Sequence, residues 1–132
     1  MNSLAYLITR LAIGFSFFGH GLVRMTKLAG FSKWMVGSFQ KSMLPEGLVT
    51  AFSYILPFLE FLVGLLLLLG LFTRQALIAG AVVMLLLILG TTLIEDWDAL
   101  PTQLIHVLFL VVLLQFVVSN IYSVDQLMKK PL

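Results

Sequence analysis

The chain has 132 residues, of which 61% are apolar and 11% are charged, and its mean hydropathy is +1.10. Soluble domains average about 45–50% apolar and about 25% charged residues. The hydrophobic core of a 132-residue chain cannot bury this much apolar surface. Lipid must cover the excess, so the composition indicates an integral membrane protein. The net charge of +2 excludes a nucleic-acid footprint, and the absence of cysteine excludes disulfides, thiol relays and iron–sulfur ligation within the chain.

Four apolar segments are long enough to cross a bilayer core of about 30 Å, which takes about 20 helical residues. They cover residues 4–23, 51–71, 75–94 and 103–118. None of them shows the in–out alternation of a membrane barrel strand. The sequence therefore predicts an all-α fold, in which residues 1–132 form a single transmembrane four-helix bundle.

Two of the three connections are short. Phe72-Thr73-Arg74 predicts an antiparallel hairpin of the second and third spans. The acidic segment 95–102 contains Trp97 and Pro101, which predicts a turn at the headgroup level, with the proline opening the next helix.

The first connection, residues 24–50, is longer than a simple turn. Phe31, Met35, Phe39 and Met43 recur in it every four residues, while polar side chains largely occupy the other positions. This spacing predicts a short amphipathic helix over 31–43, which lies on the membrane surface or caps the bundle between the first and second spans.

Basic residues give a balanced signal for orientation, with four Lys or Arg on each side of the membrane. One side carries Arg10, Arg74, Lys129 and Lys130, and the other carries Arg24, Lys27, Lys33 and Lys41. We expect a multi-pass protein of the bacterial inner membrane with both termini in the cytoplasm.

Ionisable residues inside the spans are costly, so each needs a partner or a purpose. Counting about 1.5 Å per residue from the terminal side, Arg10 and Glu60 differ in depth by about 7 Å, within reach of an extended ion pair. The sequence therefore predicts an Arg10–Glu60 pair, which either organises a site or only fixes the first span against the second.

His20 and His106 enter the membrane from the opposite side at nearly equal depths. Three interpretations stay open at this point. The imidazoles are neutral and each is hydrogen-bonded to backbone or to a polar neighbour, or they form a polar site with Arg24, Lys27 and Glu60, or they ligate a haem between two helices.

Small and charged residues share faces of the first two spans. At 100° per residue, a stripe of the first span contains Arg10, Gly14, Phe17, Gly21 and Arg24, and a stripe of the second contains Pro57, Glu60 and Gly64. Such stripes predict close helix packing or room for a ligand.

Taken in order, several motifs resemble those of the DoxX family of small four-helix membrane proteins. They are Arg10-Leu-Ala-Ile-Gly14, Gly19-His20-Gly21, Lys27, Pro57-Phe-Leu-Glu60, Gly64, Leu69-Gly70-Leu71, Thr73-Arg74 and Tyr122-Ser-Val-Asp125. The resemblance implies a membrane subunit linked to quinone, thiol or oxidative-stress chemistry. The chain departs from thiol-handling relatives because it has no cysteine, and it has no recognisable nucleotide-binding loop.

The first functional hypothesis is therefore a DoxX-like protein that binds a quinone or another small lipophilic ligand as part of a redox-linked system. It would be a component of a quinone-linked oxidoreductase, with the lipid bilayer, a redox partner and a second copy of the chain as candidate partners. The alternatives are a non-catalytic subunit that docks a partner protein, and a bis-histidine haem protein. We expect no metal site other than that haem, and the ligand-binding or proton-relay candidates are Arg10, His20, Arg24, Lys27, Glu60 and His106.

Overall fold

The computed structural model describes residues 1–129, which form helices joined by turns and contain no strand. The prediction of an all-α fold is confirmed. Lys130 of the charge count lies outside the described residues. The helices are α1 (Ser3–Met25), α2 (Leu28–Ser38), α3 (Glu46–Leu69), α4 (Thr73–Leu93), α5 (Leu100–Gln115), a short 3₁₀ turn (Val117–Ser119) and α6 (Val124–Lys129).

Three helices, α1, α3 and α4, are long and apolar enough to cross a membrane, with 23, 24 and 21 residues. They match the first three predicted spans to within a few residues at most ends. The helix α5 is also apolar but has only 16 residues. The chain is thus a membrane protein with several apolar helices.

Helices α1 and α3 pack antiparallel, and glycines set their separation. Gly21 of α1 lies against the backbone of Phe61, and a Cβ at Gly21 would stand only 2.6 Å from the carbonyl oxygen of Pro57. Gly64 of α3 likewise lies against the backbone of Phe18. Because no side chain separates the backbones at these two points, the register of the pair is fixed there.

The predicted stripes of small and charged residues on α1 and α3 are mostly buried in the structure. The buried residues of α1 include Arg10, Gly14, Phe17 and Gly21, so most of its predicted stripe faces the interior. Its last member, Arg24, is partly exposed. The whole α3 stripe, Pro57, Glu60 and Gly64, is buried.

Short turns join α3 to α4 and α4 to α5, as predicted. Gly70 ends α3 in the left-handed region, with φ 65° and ψ 40°, and the N–H of Leu71 bonds to the carbonyl of Leu66 at 3.0 Å. Pro101 lies in the first turn of α5, where its missing N–H costs no helical hydrogen bond.

The helix predicted over 31–43 is present, but its bounds were wrong. It runs from Leu28 to Ser38 and packs against α3 through Phe31 and Met35. The chain leaves the helix after Gly37-Ser38, two residues of low helix propensity, and Met43 is 82% exposed instead of sharing the apolar face.

Beyond α5, the C-terminal segment folds back onto the α3–α4 turn. The carboxylate of Asp125 accepts hydrogen bonds from the backbone N–H groups of Phe72 (2.7 Å) and Thr73 (2.8 Å), so it caps the start of α4. The N–H of Asp125 donates in return to the carbonyl of Gly70 at 2.9 Å.

This cap predicts a pH-dependent stability. Burial opposes ionisation of Asp125, but hydrogen bonds from Thr73 and Phe72 and the charge of Lys129 outweigh it, so the pKa of Asp125 lies below its ordinary value. The stability that Asp125 contributes is therefore present above the unfolded-state pKa of about 3.9 and is lost as the pH falls through the lower folded-state pKa.

We expect Asp125→Asn, which keeps one acceptor oxygen but loses the other and the charge, to lower the free energy of unfolding at pH 7 by about 0.5–1.5 kcal/mol, the net value of one hydrogen bond. Thermal melts in detergent between pH 7 and pH 3 should show the parent and the variant converging as the acid limit is approached. Asp98→Asn, which removes an exposed carboxylate of the α4–α5 turn, is the control and should leave the pH profile unchanged. A constant gap between parent and Asp125→Asn at every pH would contradict the assignment.

Candidate functional site

An ion pair links α1 to α3 near the α2 side of the bundle. One guanidinium nitrogen of Arg24, Nη1, donates to both carboxylate oxygens of Glu60 at 2.7 and 2.8 Å. Glu60 is only 5% exposed, at the centre of α3. The Arg24 guanidinium also stands 4.6 Å from the ring centre of Phe31, so α2 helps to hold it in place.

The predicted Arg10–Glu60 pair was wrong, and the helix register explains why. Gly14 lies against Leu68 and Gly21 against Phe61. This register puts Glu60 level with residue 22 and Arg10 level with residue 72, so the two charges are about 18 Å apart along α1.

Arg10 instead belongs to a hydrogen-bond network with the C-terminal segment, at the opposite end of the bundle. It is 2% exposed, and it donates to the side-chain oxygen of Asn120 and, at 2.9 Å, to the carbonyl of Tyr122. Asn120 donates onward to the hydroxyl of Thr73 at 2.9 Å. The guanidinium therefore fastens the C-terminal segment to α1 and α4 and does not line the cavity described below.

Both histidines lie beside Ser16, a residue that the sequence analysis did not single out. His20 Nδ1 donates to the carbonyl of Ser16 at 2.7 Å, and His106 Nδ1 donates to the carbonyl of Thr102 at 2.8 Å. Because a carbonyl can only accept, each Nδ1 carries the proton, and in the neutral ring each Nε2 is an acceptor. His106 Nε2 accepts from the Ser16 hydroxyl at 2.7 Å, which leaves His20 Nε2 as the acceptor available to a ligand.

A cavity of about 620 Å³ opens next to these groups and is bounded by residues from α1 to α5. Its wall is mainly apolar, and most of its polar side chains, including those of Ser16, His20, Arg24, Glu60 and His106, come from α1, α3 and α5. The volume lies within the range of about 300–1,000 Å³ that small-molecule sites occupy. The polar members of the lining are Ser16, His20, Arg24, Ser38, Glu60, Thr91, Asp96, Thr102, Gln103 and His106.

The structure brings four of the six sequence candidates together, His20, Arg24, Glu60 and His106. The imidazole centres of the two histidines are 6.4 Å apart. Lys27 lies just outside, in a second groove between α1 and α2. Helical spacing is the sequence signal that could have identified Ser16. It precedes His20 by four residues and Arg24 by eight, so the three lie on one face of α1.

Gln103 is the second polar residue that the sequence analysis missed. Its amide nitrogen donates to the hydroxyl of Thr91 at 2.7 Å, which joins α5 to α4. Its side-chain oxygen is buried and has no partner among residues 1–129. Gln103 lies one turn from His106 and also lines the cavity.

The arrangement fits a bis-histidine haem poorly. Iron would need the Nε2 atoms of both imidazoles, since both Nδ1 atoms are bonded to carbonyl groups of their own helices. His106 Nε2 is already bonded to Ser16 Oγ, so ligation would have to break that hydrogen bond. Within residues 1–129, no group of three His, Cys, Asp or Glu side chains has the geometry of a metal site.

The comparison with known protein families gives one match. The DoxX family model matches residues 5–94, which include all but the first two residues of α1, the whole of α2 to α4, and every sequence motif quoted above except Tyr122-Ser-Val-Asp125. No curated protein and no solved structure is significantly similar to the chain.

Proposed function

This chain belongs to the DoxX family, and on that premise we propose that it binds a small lipophilic ligand of the quinone class in the cavity between its helices. The observation that carries the proposal is the polar end of that cavity. There, a partly buried ion pair and two oriented imidazoles meet in a wall that is mainly apolar. A ring bearing carbonyl or hydroxyl oxygens and an apolar body matches this distribution.

Each polar group has a defined part in this proposal. Arg24 uses only Nη1 for Glu60, so its remaining N–H groups can donate to a ligand carbonyl. His20 Nε2 accepts a hydrogen bond from a ligand hydroxyl, while the Ser16 carbonyl holds the ring in place. Glu60 balances the charge of Arg24, which would otherwise be costly at this depth.

Redox chemistry would need electrons from outside the chain. The sequence contains no cysteine, and its ionisable side chains can move protons but not electrons. We therefore assign the chain the ligand-binding role in a redox-linked membrane system of the inner membrane, in which a soluble or membrane partner supplies the electrons.

The proposal includes a definite arrangement in the bilayer. The 16 residues of α5 and the 3₁₀ turn that follows extend for about 30 Å together, which is enough for a fourth span. The helix α2 lies at the interface on the side of Arg24 and Lys27. Both termini are then on one side of the membrane, which we assign to the cytoplasm.

Reporter fusions test this arrangement. Fusions at Pro45 and Asp98 should report the same side of the membrane, and fusions at Arg74 and Lys129 should report the other. A shared side for Pro45 and Arg74 would rule out the four-span arrangement.

The ligand proposal is tested by purifying the full chain in mild detergent and extracting it with organic solvent. We expect a quinone in the extract, and saturable binding of a short-chain quinone analogue by the emptied protein. His20→Phe keeps a ring of similar size without the acceptor. It should weaken analogue binding roughly two- to tenfold, the equivalent of one hydrogen bond.

The matched control is Leu22→Phe, which adds a ring to an exposed position of α1 that lines neither the cavity nor the α1–α2 groove. Its binding should equal that of the parent. An extract without quinone, together with no saturable analogue binding, would overturn the proposal in favour of a non-catalytic docking subunit. A Soret band in the purified protein would overturn it in favour of haem.

A further inference from the structure

A second concavity of about 700 Å³ lies outside the ligand cavity, between α1 and the start of α2. Four residues line both spaces and form the wall between them, namely Ser16, His20, Arg24 and Trp34. The rest of the lining belongs to the groove alone and contributes apolar side chains, two glycines and one lysine. These residues are Phe15, Gly19, Val23, Lys27, Gly30 and Phe31.

Glycines leave the middle of the groove open. A Cβ placed at Gly19 or at Gly30 would meet no other atom within 4 Å. Neither glycine is therefore needed for close helix packing, in contrast to Gly21 on the same helix. The groove has free space that faces outward from the bundle.

The charge of the groove is positive and lies at one end. Arg24 and Lys27 stand at the end of α1, and none of the described residues that line the groove is acidic. The charge of Arg24 is shared with Glu60, whereas Lys27 forms no ion pair within residues 1–129. The uncapped N-terminus of α2 begins at the same place and adds partial positive charge.

The length of the groove matches one leaflet of a bilayer. From Phe15 to Arg24, the last residue of α1 that lines the groove, the helical rise is about 14 Å, and Lys27 follows beyond the end of the helix. Half of a hydrocarbon core is about 15 Å. An occupant with an anionic head at Lys27 and an apolar chain extending toward Phe15 would thus stand in the groove as a lipid stands in the leaflet.

We propose that the α1–α2 groove is a binding site for an anionic phospholipid, with the headgroup phosphate at Lys27 and Arg24 and an acyl chain along Phe15, Gly19 and Trp34. Basic pockets between membrane helices bind anionic headgroups in this way. The site is a separate concavity from the inner cavity, although the two share a wall that includes Arg24. A bound lipid would cover the outer side of the Arg24–Glu60 pair and exclude water from it.

Trp34 provides a direct probe. The chain has two tryptophans, so a Trp97→Phe background leaves Trp34 as the only one. The full chain is reconstituted in phosphatidylcholine vesicles that contain equal low fractions of either brominated phosphatidylglycerol or brominated phosphatidylcholine. We expect stronger quenching of Trp34 fluorescence by the brominated anionic lipid.

Two matched pairs of variants assign that preference to the groove. Lys27→Gln should reduce it about fivefold, the typical value of one basic side chain near the membrane surface. Lys27→Arg should retain it, and so should Lys33→Gln, which removes an exposed charge of α2 outside the groove. Gly30→Leu fills the groove and should lower quenching by the anionic lipid, whereas Gly37→Leu, at an open position outside the groove, should not.

Equal quenching of the parent by the two brominated lipids would overturn the proposal. So would an equal loss of preference in Lys27→Gln and Lys33→Gln, which would indicate only a general attraction of anionic lipid to a basic surface. Unchanged quenching in Gly30→Leu would also overturn it, because the acyl chain would then lie elsewhere.

Discussion

Replacing Arg24 by Met is expected to cause one of the largest losses of stability in this protein. The substitution removes the only ion-pair partner of Glu60 within residues 1–129 and leaves a carboxylate that is 6% exposed in the middle of α3. Breaking a buried pair by removing one member costs about 3–5 kcal/mol. Glu60→Gln should cost less, because the Arg24 side chain is 25% exposed and can extend its charge toward the membrane surface.

A double-mutant cycle in detergent measures this coupling through the free energies of unfolding. The variant with both Arg24→Met and Glu60→Gln should recover much of the loss of Arg24→Met, so the two effects should be strongly non-additive. Arg10→Met combined with Glu60→Gln is the matched control. Its effects should add, because Arg10 contacts Asn120 and Tyr122 at the other end of the bundle. Additive effects for Arg24 and Glu60, or coupling between Arg10 and Glu60, would contradict the structure.

The sequence was sufficient for the class of fold because lipid-length apolar runs depend only on local composition. The first three spans, the turn at Pro101 and a short α3–α4 connection were all predictable in this way, although that connection ends at Phe72 and not at Arg74 as predicted. The buried stripes of α1 and α3 followed from helical periodicity, which is also local. The resemblance to the DoxX family likewise rested on short motifs, and the family match over residues 5–94 bears it out.

The partners of Glu60 and Arg10 could not be predicted, because they depend on the register between helices. A depth estimate that starts from the ends of two spans assumes that the ends are level. In the structure the backbone contacts at Gly21 and Gly64 decide the register instead, and they place Glu60 beside the far end of α1. Arg24 was predicted to join the polar site but not to pair with Glu60, although its side chain reaches inward to the centre of α3.

The second large effect is expected at Gly21. A Cβ there would overlap the backbone of Phe61 and of Pro57, neither of which can move like the end of a flexible side chain. Gly21→Ala must therefore push α1 and α3 apart along the face that carries Glu60. Overpacking of this kind costs about 1–3 kcal/mol and sometimes more. Because the Arg24–Glu60 pair spans the same two helices, we also expect Gly21→Ala to weaken binding of the quinone analogue.

Gly19→Ala isolates the steric cause of this effect. Gly19 is also in the interior of α1, only two residues away, but its Cβ would meet no atom within 4 Å. The intrinsic gain in helix propensity from glycine to alanine, about 1 kcal/mol, is common to both variants. Melting in detergent should therefore show Gly19→Ala at or above the stability of the parent and Gly21→Ala clearly below it. If both variants gained stability, the backbones of α1 and α3 would not be in contact at Gly21, and the register that places Arg24 on Glu60 would fail with that contact.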